Sequence, residues 1–213
     1  MGTACLNNDI KHAFPEGLEA LDELKVSPPS GDDSNSYPQE LNLLSGGDDE
    51  EYAWVHAAGY LHGEITTVWE WIRDEEIYVN LREVTEYSVT EQNSDSYDYV
   101  YLVHNIVEDI ITVEFDLEWR HGSFSGDVEA PESVAIRWQK TEGTEHIGLL
   151  EGSLQLFPVE NDQGTAAEDV VEVQFVYHLT STLDQEENAV NYINDVFERW
   201  HAAVNGLSMP EYE

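Results

Sequence analysis

Residues 184–205, DQEENAVNYINDVFERWHAAVN, decide the fold. Asp184 reads as an N-cap, Glu187 as its capping-box partner and Gly206 as the stop just past the last turn. Val190, Ile193, Phe197, Trp200 and Val204 recur at steps of three and four, which is one face of an α-helix. At about 1.5 Å rise per residue the helix is roughly 30 Å long. A face carrying two large aromatics needs a broad apolar surface to cover, and almost everything before it is strand-like. The expected class is α+β, a sheet of seven antiparallel strands closing around one long C-terminal helix.

The strands are read from period-two alternation. Ile110 to Arg120 is the clearest: Ile111, Val113, Phe115, Leu117 and Trp119 alternate with Thr112, Glu114, Asp116, Glu118 and Arg120. The others are Tyr52–Glu64, Arg82–Glu91, Tyr97–Val107, Ser133–Thr141, Ile147–Phe157 and Asp169–Ser181. Gln92–Ser96, His121–Glu132, Glu142–His146 and Val159–Glu168 are rich in Gly, Asp, Asn and Ser and read as hairpin connections. Between the first two strands, Thr66 or Thr67 caps a short helix in TTVWEWIRDEE, with Val68, Trp69 and Ile72 as its buried set, and a second helical turn or loop runs to Tyr78. One-face alternation predicts strands that are wet outside and covered inside.

Residues 1–51 differ in composition and read as an acidic extension. Phe14 to Val26 suits a short amphipathic helix, with Pro15 near its start and Leu18, Leu21 and Leu24 spaced by threes. SPPSGDDSNSYPQE reads as loop, and Gly46-Gly47 followed by Asp48-Asp49-Glu50-Glu51 as a hinge with a solvated charge run. The domain proper is 52–206, and 207–213 is a tail.

This order resembles the START-like, or SRPBCC, helix-grip superfamily. Three stretches carry the resemblance: GYLHGEITTVWEWIRDEE, similar to the entry into the first helix; HIGLLEGSLQLFPVEND, similar to a late strand in which Leu154 stands where a Trp is usual; and VQFVYHLTSTLDQEENAVNYINDVFERWHAAVNG. It covers about Tyr52 to Gly206, and the acidic N-terminal segment departs from it. The resemblance implies a curved sheet gripping the helix, with an apolar cavity between them. Its members bind lipids, sterols or polyketides, some are cyclases or dehydratases, and others help assemble partners.

Strand phase gives the expected lining: Tyr87, Tyr101, Val103, Phe115, Trp119, Ile136, Trp138, Leu154, Phe175 and Tyr177, faced by Ile193, Phe197 and Trp200. The main reading is a carrier or sensor for a hydrophobic or amphipathic small molecule, with no cofactor. One alternative is a cyclase- or dehydratase-type enzyme with Tyr101, Tyr177 or His104 as acid or base. Another is an interaction protein with a packed interior. Arg120 and Arg137 fall on the polar phase of adjacent strands, where they neutralise acids such as Glu118 and Asp116; anchoring a ligand carboxylate requires them to turn inward.

His56, His62, His104, His121, His146, His178 and His201 include no helical i,i+4 pair and no H-E-x-x-H, so no metal site is expected. Nucleophile elbows, phosphate loops and dinucleotide fingerprints are also absent from the sequence.

Hydrophobic residues at 41%, with six Trp and eleven Tyr, supply a real core. Eight Lys plus Arg stand against 45 Asp plus Glu, a net charge of -37. Such a surface repels nucleic acid and anionic lipid headgroups and suits saline surroundings, so a halophilic, cytoplasmic protein is expected. Cys5 is the sole cysteine, no run approaches the length of a transmembrane span, and MGTACLNNDI does not read as a signal peptide. Thr3-Ala4-Cys5 also resembles the end of a lipobox, which gives an exported lipoprotein as the alternative location.

Overall fold

A computed structural model of the chain describes residues 14, 16–47, 51–108, 111–160, 166–182 and 185–212, without the side chains of 160 and 166–168. Cys5, Asp184 and the run 48–50 lie outside the described residues. The elements in order are β1 (Leu41–Gly46), β2 (Ala53–His62), α1 (Ile65–Ile72), α2 (Glu75–Tyr78), β3 (Glu86–Gln92), β4 (Tyr99–Glu108), β5 (Thr112–Asp127), β6 (Ala130–Gly143), β7 (Ile147–Glu160), β8 (Ala166–Ser181) and α3 (Gln185–Val204). The strands form one antiparallel sheet of eight in the order β1-β2-β8-β7-β6-β5-β4-β3. The expected seven are all present. The eighth is β1, LNLLSG, which lies within the acidic extension, where no strand is expected, and pairs along β2 from Leu41↔Gly59 to Gly46↔Trp54.

Two boundaries also move. The loop expected over His121–Glu132 is mostly strand, because β5 and β6 pair out to Asp127↔Ala130. The cap expected at Thr66 or Thr67 is not used: α1 begins at Ile65 after Glu64, which makes no side-chain cap bond. Val68, Trp69 and Ile72 are buried, as their spacing predicts. The second turn, α2, is capped by Asp74, whose Oδ1 accepts from the Glu76 N–H at 2.9 Å.

Helix α3 lies on the inner face of the sheet with Ile193, Phe197 and Trp200 buried and Val190 and Val204 half-buried. It ends in a Schellman arrangement: Gly206, at φ 63°, donates to the Ala203 carbonyl and Leu207 to that of Ala202. Hydrogen bonds fix the short helices to it. Trp200 Nε1 donates to the Val68 carbonyl at 2.8 Å and Tyr192 Oη to the Tyr78 carbonyl at 2.9 Å. Arg199 Nη1 donates to the carbonyls of Glu76 and Val79. The core is the layer between sheet and helix, where Trp119 stacks on Trp138 at 4.5 Å and Phe175 meets Trp200 edge-on at 6.3 Å.

The largest departure from expectation is on the other face. The described part of 14–26 contains no helix; it crosses the outer surface of the sheet as an irregular strap. From the segment just before β4 inward, Tyr97 Oη donates to the Glu16 carbonyl, Arg137 Nη1 to the Glu19 carbonyl, and Ser153 Oγ accepts from the Leu21 N–H. Further on, Lys25 sits over the Trp54 ring at 4.4 Å, and Asn42 Nδ2 donates to the Ser27 carbonyl. Backbone groups that a helix would pair internally are met here by side chains of the sheet, and Leu18, Leu21 and Leu24 are half-buried. The outer face is therefore not uniformly wet. His56, Arg137, Gln139, Glu151, Ser153 and His178 all lie buried on it.

Candidate functional site

The inner face does not close completely over α3. Between the α2 end of the helix layer and the sheet, a cavity of about 210 Å³ opens to solvent. Its walls are Val103 and Val107 from β4, Val113, Phe115, Leu117 and Trp119 from β5, Ile147 and Leu150 from β7, and Tyr177 and Leu179 from β8. Tyr192 of α3 and Tyr78, Val79 and Val84 from α2 and the segment after it complete them. These strands place the residues there because alternate side chains share a face. Glu83, His146, Thr182 and Asn188 are exposed or half-buried and mark the open, polar end.

Of the residues expected to line the site, Val103, Phe115, Trp119 and Tyr177 do so. Ile136, Trp138, Leu154, Phe175, Ile193, Phe197 and Trp200 belong to the packed core instead, where neighbours fill the space around them. Tyr101 packs against that core and stacks on the Tyr78 ring at 6.5 Å. Tyr87 is 37% exposed on the edge strand β3, outside the cavity. Its strand lies at the rim of the sheet, where neither phase is covered by helix.

Three phenols at or near the cavity share one electrostatic character. Burial pushes the hydroxyls of Tyr78, Tyr101 and Tyr177 up, and for Tyr177 well above the ordinary range, so all three stay protonated donors at neutral pH. His104 lies on the outer phase of β4, its side chain 44% exposed and its Nδ1 2.6 Å from Asp116 Oδ1. It does not reach the cavity. Arg120 and Arg137 face outward: Arg120 Nε donates to Glu118 Oε1 at 2.6 Å, and Arg137 serves the strap. No Lys or Arg is among the described residues lining the cavity. Among the described residues no three His, Cys, Asp or Glu side chains are grouped as a metal ion requires.

Sequence reading passed over several wall residues. Tyr78, Asn80 and Glu83 come from the irregular segment around α2, which has no phase to read. Tyr192 sits one position from Ile193 on the shoulder of the helical face, and Val196, Arg199 and Ala203 continue that row at the same steps of three and four. His121, expected in a connection, is a strand residue on the inner face but not on the cavity wall, fully buried beside Tyr101, with its Nδ1 accepting from Trp69 Nε1 at 3.4 Å. Burial, aided by the Arg73 charge, pushes its pKa down to about 3, so the ring is neutral.

The architecture is that of a START-like helix-grip fold. The human StarD13 (DLC2) lipid transfer and protein localization domain superposes with a TM-score of 0.52 at 7% identity, covering 79% of this chain and 85% of that one. A START superfamily protein from Mycobacterium smegmatis gives a TM-score of 0.49 at 13% identity, covering 73% and 99%. No family model matches the sequence, and no curated protein matches it. The single sheet of eight strands exceeds by one the seven expected. No described helix is long and apolar enough to cross a membrane.

Proposed function

We propose that the cavity binds a hydrophobic or amphipathic small molecule, and that the protein acts as its carrier or sensor. The observation that carries this reading is the cavity's build: apolar walls from four strands and α3, with polar side chains gathered at the open end. The StarD13 domain, named for lipid transfer, shares the fold. The volume also speaks to ligand size. About 210 Å³ lies below the roughly 300–1,000 Å³ usual for small-molecule pockets, which favours a compact body over a two-chained lipid.

A cyclase- or dehydratase-type reaction is the alternative use of the same cavity. Tyr177 is the one acid/base candidate from the sequence that lines it, and its phenol is held protonated, so it could act there only as a donor. The carrier reading asks for no reactive group and is preferred. The charge of -37 fits work in concentrated salt, in the interior of a halophile; an exported, lipidated protein is the alternative if Cys5 ends a trimmed lipobox.

Native mass spectrometry on protein purified gently in concentrated salt tests the container, followed by solvent extraction. A stoichiometric co-purifying molecule is expected. A clean apo mass together with no thermal shift across a lipid and polyketide panel would overturn the reading and favour an interaction protein.

A further inference from the structure

The residues of the cavity wall carry buried polar atoms that have no hydrogen-bond partner among the described residues. Tyr78 and Trp119 are each 2% exposed, and Tyr78 Oη and Trp119 Nε1 are both buried without a hydrogen-bond partner. Their rings lie 4.9 Å apart, centroid to centroid. Asn80 Oδ1, two residues along from Tyr78 and also on the wall, is likewise buried and unpartnered. Buried polar atoms in native proteins are nearly always paired, so three unpartnered ones on residues that line one cavity call for a partner from outside the chain.

The chemistry of that partner follows from the atoms. An indole N–H can only donate, and a protonated phenol donates one hydrogen; both ask for an acceptor. Burial keeps the Tyr78 phenol in its donor form. Asn80 Oδ1 can accept a hydrogen in return. The rest of the lining disfavours an anion. No Lys or Arg among the described lining residues could neutralise a carboxylate or phosphate, and Glu83 adds a negative group at the open end. A buried anion without a counter-charge is costly.

Resting on the reading that the cavity holds a small molecule, we propose that its ligand is a compact apolar body bearing a neutral oxygen function, a ketone, ester carbonyl or hydroxyl. Tyr78 Oη and Trp119 Nε1 receive that oxygen. Asn80 accepts the hydrogen when the group is a hydroxyl. Free fatty acids and other anions are disfavoured ligands.

Three probes of one ring size test this on the whole chain in concentrated salt: naphthalene, 2-acetylnaphthalene and 2-naphthoate, titrated by calorimetry. The ketone is expected to bind about tenfold tighter than the hydrocarbon, the worth of one or two well-placed hydrogen bonds, and the carboxylate most weakly. Tyr78→Phe and Trp119→Phe should each erase most of the ketone's advantage over naphthalene measured on the same variant. Tyr78→Phe removes only the unpartnered oxygen, so the ligand-free variant should melt no lower than the parent, which keeps the test valid if Trp119→Phe misfolds. Equal binding of ketone and hydrocarbon, or tightest binding of the carboxylate, overturns the inference while the container stands. Failure of all three probes removes both.

Discussion

Arg137 Nη1 donates to the carbonyl of Glu19 at 3.0 Å, joining residues 118 apart in the chain. The bond pins the N-terminal strap to the middle of the sheet's outer face. Burial lowers the Arg137 pKa, and the neighbouring Glu151 charge works in the opposite direction. Glu151 is itself buried and lies 3.3 Å from His178. Arg137→Ala should therefore cost about 2 kcal/mol, because it removes the donor to the strap carbonyl and a positive charge near the buried Glu151. Urea unfolding measures the loss. Limited proteolysis should cut the variant faster within 16–27 than within the core strands.

Stability should rise with salt. At about 0.1 M the screening length is about 10 Å and the acidic surface repels itself, whereas at about 1 M it falls to about 3 Å. Melting followed by circular dichroism from low to molar NaCl should show a midpoint that climbs steadily. A flat profile would remove the case for halophilic adaptation.

Acid should loosen the strap side of the sheet through His56. Its ring is fully buried, and neither nitrogen has a hydrogen-bond partner among the described residues. Burial is the chief cause that pushes its pKa down to about 4; Lys25 and His178 add to the fall and Asp22, 3.9 Å away, opposes it. The folded value lies below the ordinary 6.5, so the unfolded chain binds more protons between the two. The stabilisation is complete above pH 6.5 and is lost as pH falls towards 4. Denaturant midpoints at about pH 7 and about pH 5 should differ less in His56→Gln than in the parent. His121 contributes with the same sign over a window reaching down to about 3, so the variant's slope should shrink without vanishing.

Gly152→Ala should be among the costliest single changes. Gly152 lies opposite Trp138 in the β6–β7 register, and a Cβ there would overlap the indole ring. Trp138 has no room to retreat, being 1% exposed and stacked on Trp119. A loss of about 2 kcal/mol or more is expected from overpacking, measured by thermal or urea unfolding.

How much of this was legible in the sequence depends on the kind of signal. Val171, Val173, Phe175, Tyr177 and Leu179 alternate strictly, and a strand of that period has only one face to bury. The α3 face from Ile193 to Trp200 was equally plain. The strap was not, because leucines at 18, 21 and 24 suit a helix as well as an extended chain tied down by side chains far along the sequence. The same tertiary bonds hid the outer face: His56, Arg137, Glu151 and Ser153 are polar by type and buried by circumstance. The cavity was half legible. Strand phase put Trp119 and Tyr177 on the correct face, but a void exists where side chains stop short of one another, and that depends on Tyr78 and Asn80 in a segment without period.

The eight cations of the chain are spent almost entirely on its own architecture. Lys25 lies over Trp54, Arg73 over Tyr99, and Arg120 between Phe14 and Tyr97. Arg82 grips Asp195 with two nitrogens at 2.8 Å, while Arg137, Lys140 and Arg199 hold backbone carbonyls. Only Lys11 lies outside the described residues. Two copies that meet therefore bring almost no spare positive charge to the encounter. An ionic bridge between two copies would therefore draw its cations mostly from the solvent, so the choice of dissolved cation should influence how the molecules associate.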